Sequence, residues 1–91
     1  MIFETVHNYY EKMVINELQK AIQTRRLEVD SSQLEDIACI ALNKLPPRYI
    51  KHDVDALFYL TADQQVAMYA SVEAAVGEAI DFVLKHPKID H

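Results

Sequence analysis

Glycine occurs once in this chain and proline three times, which leaves almost no material for tight hairpin turns. That scarcity argues against a multi-stranded β architecture and suits helices. The single cysteine, Cys39, cannot close an internal disulfide, so a reducing compartment is its simplest setting. No run approaches the roughly 18 continuous apolar residues that a membrane-spanning helix needs. The opening MIFETVHNYYEK has no basic start, no long apolar core and no small-residue cleavage site, so a secretory leader is not expected. Internal repeats, linkers and low-complexity tracts are lacking too. These absences lead to the expectation of a soluble, cytoplasmic protein.

What is present fits one small helical domain. Ninety-one residues suffice for a single core, and such a chain buries only about 60–65% of its unfolded surface. Apolar residues make up 51% and charged residues 25%, a globular composition. The net charge of −5 disfavours binding to DNA, RNA or an anionic membrane, so an anionic partner would have to meet a local basic patch.

Periodicity predicts three helices. In the first, from about Phe3 to Thr24, the residues Ile2, Val6, Tyr9, Met13, Val14, Leu18 and Ile22 trace one face. Of the adjacent Tyr9 and Tyr10, one belongs in the core and the other at the surface or the dimer seam. Arg25-Arg26 suits the negative end of that helix. The second opens on Ser32-Gln33-Leu34-Glu35, which matches a capping box. Residues 37–42 are then apolar without a break, predicting a central helix with Cys39 buried in it. Pro46-Pro47 stops it. The third opens on the capping box Thr61-Ala62-Asp63-Gln64 and carries the stripe Val66, Tyr69, Val72, Val76, Ala79, Ile80 and Val83. A line of small residues, Ala67, Ala70, Ala74 and Ala75, lies beside it and permits close helix approach. Between the second and third helices, residues 46–60 fit a short strand, a helical turn, or both. The expectation is an all-α domain of three helices with an irregular LPPRY segment. Its apolar faces exceed what one copy comfortably buries, which predicts a two-fold homodimer.

The unevenness of charge is the main functional signal. Residues 37–52 form the longest acid-free interval in a chain with fourteen carboxylates, and they hold Lys44, Arg48 and Lys51. Arg48 follows a stiff diproline and precedes Tyr49. A guanidinium can fork onto a phosphate or lie on a purine, and a tyrosine ring can do the second. The same features also fit a plain helix stop whose cations solvate its C-terminal end. His52-Asp53-Val54-Asp55 contains a His-Asp pair of the kind found in metal-dependent phosphohydrolases, but it also fits a polar turn with Asp53 or Asp55 capping a short helix. Ser31 and Ser32 have no glycine elbow or paired base and read as caps. Catalytic residues are not expected.

The run Asp36-Ile37-Ala38, followed by Ala41-Leu42-Asn43-Lys44-Leu45-Pro46-Pro47-Arg48-Tyr49-Ile50, resembles the signature of the late-competence ComFB family. The segment with Asn8, Tyr9, Tyr10, Glu11 and Val14 is similar to that family's opening pattern. Together they cover about half of the chain. The resemblance implies one helical, dimeric, non-catalytic bacterial domain over residues 1–91, with relatives that receive cyclic di-GMP or cyclic di-AMP. A cyclic dinucleotide has two phosphates and two purines about a pseudo-two-fold axis, which a dimer offering Arg48 and Tyr49 twice would match. By resemblance, Lys44, Arg48 and Tyr49 are candidate ligand-binding residues, with Asn43 and Lys51 as weaker neighbours. Many relatives carry a cysteine cluster ahead of the residue matching Asp36, and some bind zinc there. Here Glu28–Glu35 contains no cysteine, so neither metal nor cofactor is expected. An adaptor that docks a protein partner through an apolar helix face, with LPPRY as a structural corner, is the alternative.

Overall fold

Asn8 decides where the first helix begins. The computed structural model describes residues 5–86, the side chains of 56 and 57 excepted. Asn8 has extended backbone, and its side chain accepts from the Tyr10 N–H, capping α1 (Tyr9–Arg25). The helix therefore starts later than the expected Phe3, because His7–Asn8 forms a short strand, β1. Ile2, Phe3, Glu4, Pro87 and His91 lie outside the described residues. Met13, Val14 and Leu18 are buried as the periodicity predicts, with Ile22 partly so, whereas Val6 is exposed. Tyr10 is the core member of the tyrosine pair, at 6% exposure, and Tyr9 is partly buried. The helix ends where Arg26 turns left-handed (φ 53°) and its N–H returns to the Ile22 carbonyl.

The second helix, α2 (Ser31–Asn43), corrects two expectations. Its cap is Asp30, whose side chain accepts from Gln33 N at 2.8 Å while Gln33 Oε1 accepts from Asp30 N at 3.0 Å. Ser32 and Glu35 therefore lie inside the helix. Two overlapping sequences satisfy the same spacing, and the earlier one adds helix and places a carboxylate at the positive end of the dipole. Nor is α2 central: its buried residues are Ile37 and Ala41, and Cys39 is exposed.

The central position belongs to α4 (Ala62–Lys85), which packs against both α1 and α2. Its capping box is the expected one, with Thr61 and Gln64 bonding reciprocally at 2.9 and 3.1 Å. Val72, Val76, Ala79, Ile80 and Val83 are buried as expected, joined by Met68 and Ala75. Val66 and Tyr69 are instead 68% and 64% exposed, because Met68 takes the inward position in those first turns. Of the small residues, Ala75 enters the core, while Ala67, Ala70 and Ala74 stay exposed. Between the long helices, residues 46–60 supply both a strand and a helical turn: β2 (Tyr49–Ile50) and α3 (Asp55–Tyr59). β2 pairs antiparallel with β1, His7 opposite Ile50 and Asn8 opposite Tyr49. The domain is all-α in class, with this two-residue ladder as its only sheet among the described residues.

Candidate functional site

Leu45, buried at 6% exposure, anchors the end of α2, and the two prolines after it present no N–H and restrict the backbone. The main chain of Arg48 is then held from both sides. Its N–H donates to Asn8 Oδ1 at 2.9 Å, and its carbonyl accepts from Tyr9 N at 2.6 Å. One carboxamide oxygen thus caps α1 and fixes the diproline corner. The side chain of Arg48 behaves differently. It is exposed, and its guanidinium forms no ion pair among the described residues.

Beside it opens a cleft of about 280 Å³. Tyr10, Leu60 and Met68 contribute apolar wall, the prolines contribute a stiff rim, and Arg48 and Gln64 bring polar ends. A second cleft of about 290 Å³ shares Pro46 and holds Lys44. There the Lys44 ammonium lies 3.3 Å from Glu78 Oε2, a partly exposed pair that offsets much of its charge. The expected residues are therefore distributed. Arg48 and Lys44 line adjoining clefts, whereas Asn43, Tyr49 and Lys51 are exposed and line neither. Sequence reasoning did not assign Tyr10, Leu60, Gln64 or Met68 to the site. Tyr10 lay within the opening pattern, and Gln64 was visible only as a cap.

A larger groove, about 690 Å³, runs between α1 and α4. It carries Lys12 and Lys20 but also Glu17 and Glu73, so no excess of either sign converges there. Size does not make it the better anion site.

The His52–Asp55 segment is held by local and inter-element bonds. Asp55 N donates to the His52 carbonyl, and His52 N donates to Asp55 Oδ2 at 3.3 Å, forming the polar turn that opens α3. Asp53 ties this turn to α1: His7 Nε2 lies 2.8 Å from Oδ1, and Lys12 Nζ lies 3.0 Å from Oδ2. His7 Nδ1 lies 3.0 Å from the Thr5 carbonyl. Both ring nitrogens thus face acceptors, an arrangement that suits the imidazolium. Hydrogen bonding to Asp53, then to Thr5, raises the His7 pKa above 6.5. The bonds from His7 and then Lys12 lower that of Asp53 below 3.8. Among the described residues no group of three His, Cys, Asp or Glu is gathered to hold a metal ion, and no helix is long and apolar enough to cross a membrane.

No curated protein matches the chain. Residues 7–87 match the model of the family described as late competence development protein ComFB, an interval containing both the Asn8 cap and the Arg48 corner, and the chain belongs to that family.

Proposed function

We propose that this protein is a non-catalytic regulatory module whose dimer binds a cyclic dinucleotide, cyclic di-GMP in particular, and passes the bound state to a protein partner in the cytoplasm. Family membership points to a competence-related regulatory role. The observation that carries the ligand reading is the state of Arg48: its backbone is fixed at both ends, while its guanidinium is unpaired among the described residues and stands at the rim of an open cleft. A fixed backbone spares part of the ordering cost when the side chain grips a phosphate, and a guanidinium can do so with two parallel bonds. Lys44, Tyr49, Asn43 and Lys51 flank this corner in sequence and are the further proposed ligand contacts, Lys44 after release from Glu78. Two copies would offer that face twice to a ligand with two phosphates. Neither DNA, RNA nor a membrane is a proposed partner, given the net charge of −5.

Calorimetric titration with cyclic di-GMP and cyclic di-AMP tests this. Saturable binding at micromolar affinity or better is expected, weakened at least about tenfold in Arg48→Ala. No heat with either ligand would end the reading. Light scattering should give twice the monomer mass.

One observation favours the adaptor reading instead. Phe58 and Tyr59 are 79% and 74% exposed, and Val66 and Tyr69 add a second apolar patch on α4. Under that reading Arg48→Ala is silent, while a charge at Ala70 or Ala74 abolishes partner binding.

A further inference from the structure

The ring of His7 is bonded on both sides. Nε2 lies 2.8 Å from Asp53 Oδ1, and Nδ1 lies 3.0 Å from the Thr5 carbonyl. Both neighbours are acceptors, whereas a neutral imidazole carries a single N–H. Neither neutral tautomer can therefore serve both. The one that keeps the Asp53 bond keeps it without the positive charge and turns a lone pair on Thr5. The other turns its lone pair on the carboxylate. Only the imidazolium satisfies the site.

The charged groups around the ring come from two other elements. Asp53, in the turn before α3, and Glu11, on α1, both favour the protonated form. On β2 the residue opposite is Ile50, which brings no charge, and Asp55 is engaged with the His52 N–H. Lys12 of α1 binds the second oxygen of Asp53 at 3.0 Å. That bond does not require a charged His7, so Asp53 stays tied to α1 after the imidazole loses its proton. The strand β1 is what loses its hold.

Little else fastens β1. Its ladder with β2 is two residues long, too short to be firm alone. Yet the residue after His7 carries the corner: Asn8 Oδ1 accepts from the Arg48 N–H, and Tyr9 N donates to the Arg48 carbonyl.

We infer that His7 is a pH-sensitive latch, which when protonated pins β1 to the turn before α3 and keeps the Arg48 corner firm, and when neutral lets both loosen. The corner is thus firm on the acid side and slack on the alkaline side. The changeover falls above the ordinary 6.5, since the bonds to Asp53 and then to Thr5 favour the charged ring. This device needs no ligand and stands whether or not the receptor reading does.

NMR of the whole chain between about pH 5.5 and 8.5 tests it, with the His7 ring signals assigned by their absence from His7→Gln. Those signals should titrate above 6.5, and the Tyr9 and Arg48 backbone amides should shift with the same midpoint. After correction for intrinsic exchange, protection of these two amides should fall about threefold or more across that range, with Val76 in α4 unchanged. His7→Gln, neutral throughout, should show at every pH the weak protection of the wild type at the alkaline end. In Asp53→Asn the His7 midpoint should drop toward 6.5 and the Arg48 amide should stop following it, a second test that holds even if His7→Gln fails to fold. An Arg48 amide indifferent to the His7 midpoint in the wild type overturns the latch. So does a His7→Gln protein as well protected as the protonated wild type.

Discussion

Single residues in this domain make several separable contributions to its stability. His7 and Asp53 form a tie between the start of α1 and the turn before α3, and each shifts the other's titration. The His7 value is raised, so its contribution is complete below the ordinary 6.5 and is lost as pH climbs through the raised value. The Asp53 value is lowered, so its contribution is present above 3.8 and is lost as pH falls through the lowered value. The full tie therefore operates between those limits, and Lys12 keeps Asp53 engaged at higher pH. The melting temperature of wild type minus that of His7→Ala should shrink as pH rises from about 5.5 to about 8.5. A difference independent of pH would rule the tie out.

The chain's one glycine makes another contribution. Gly77 sits inside α4, and a Cβ there would meet only the Arg25 Nη2 at 3.4 Å, the movable end of a long side chain. Gly77→Ala should raise stability by up to about 1 kcal/mol in urea unfolding, because alanine favours a helix interior. Arg26, conversely, occupies a left-handed conformation where glycine costs nothing sterically. Arg26→Gly should be neutral or stabilising by about 0.5–1 kcal/mol, an effect opposite in sign to most glycine substitutions.

At the scale of elements, caps and breakers were the most legible features. Thr61–Gln64 and the diproline stop lie where local chemistry predicts, since each rests on groups a few residues apart. The cap of α2 was misplaced because Asp30-x-x-Gln33 and Ser32-x-x-Glu35 obey one spacing rule, and local chemistry ranks them too closely. A direct check is available: Asp30→Ala should lower stability by about 1 kcal/mol, while Ser32→Ala should change it by a few tenths at most. Equal losses would mean that both residues cap. The start of α1 was misplaced for a different reason. The pairing of His7–Asn8 with Tyr49–Ile50 joins distant parts of the chain, which periodicity within either segment cannot report.

For the molecule as a whole, the all-α class and much of the core could be read from spacing, though Val6, Val66 and Tyr69 proved exposed and Met68 took an inward place, and the ranking of the helices could not be read at all. The unbroken apolar run of α2 suggested a centre, yet α4 occupies it, and Cys39 faces out. Apolarity states that a surface can be covered, not by what, and the unpartnered apolar side chains of Phe58, Tyr59, Val66 and Tyr69 make the same point. The core itself permits a sharper expectation. Ile37 is fully buried in the core, so Ile37→Ala should lower stability by about 2–5 kcal/mol in a single cooperative transition. The candidate site was half legible. Arg48 stood out by charge and by its prolines, whereas Tyr10 and Gln64 join it only through tertiary packing.

The oxygen of Asn8 bonds forward to Tyr10 and, across 40 positions, to Arg48. Helix initiation at one end of the chain and the posture of a distant arginine are therefore not independent events. Fraying of that first turn, whether by heat, by substitution or by a partner grasping the N-terminal segment, would loosen the corner too, giving the protein a route by which events near residue 8 could be felt at residue 48.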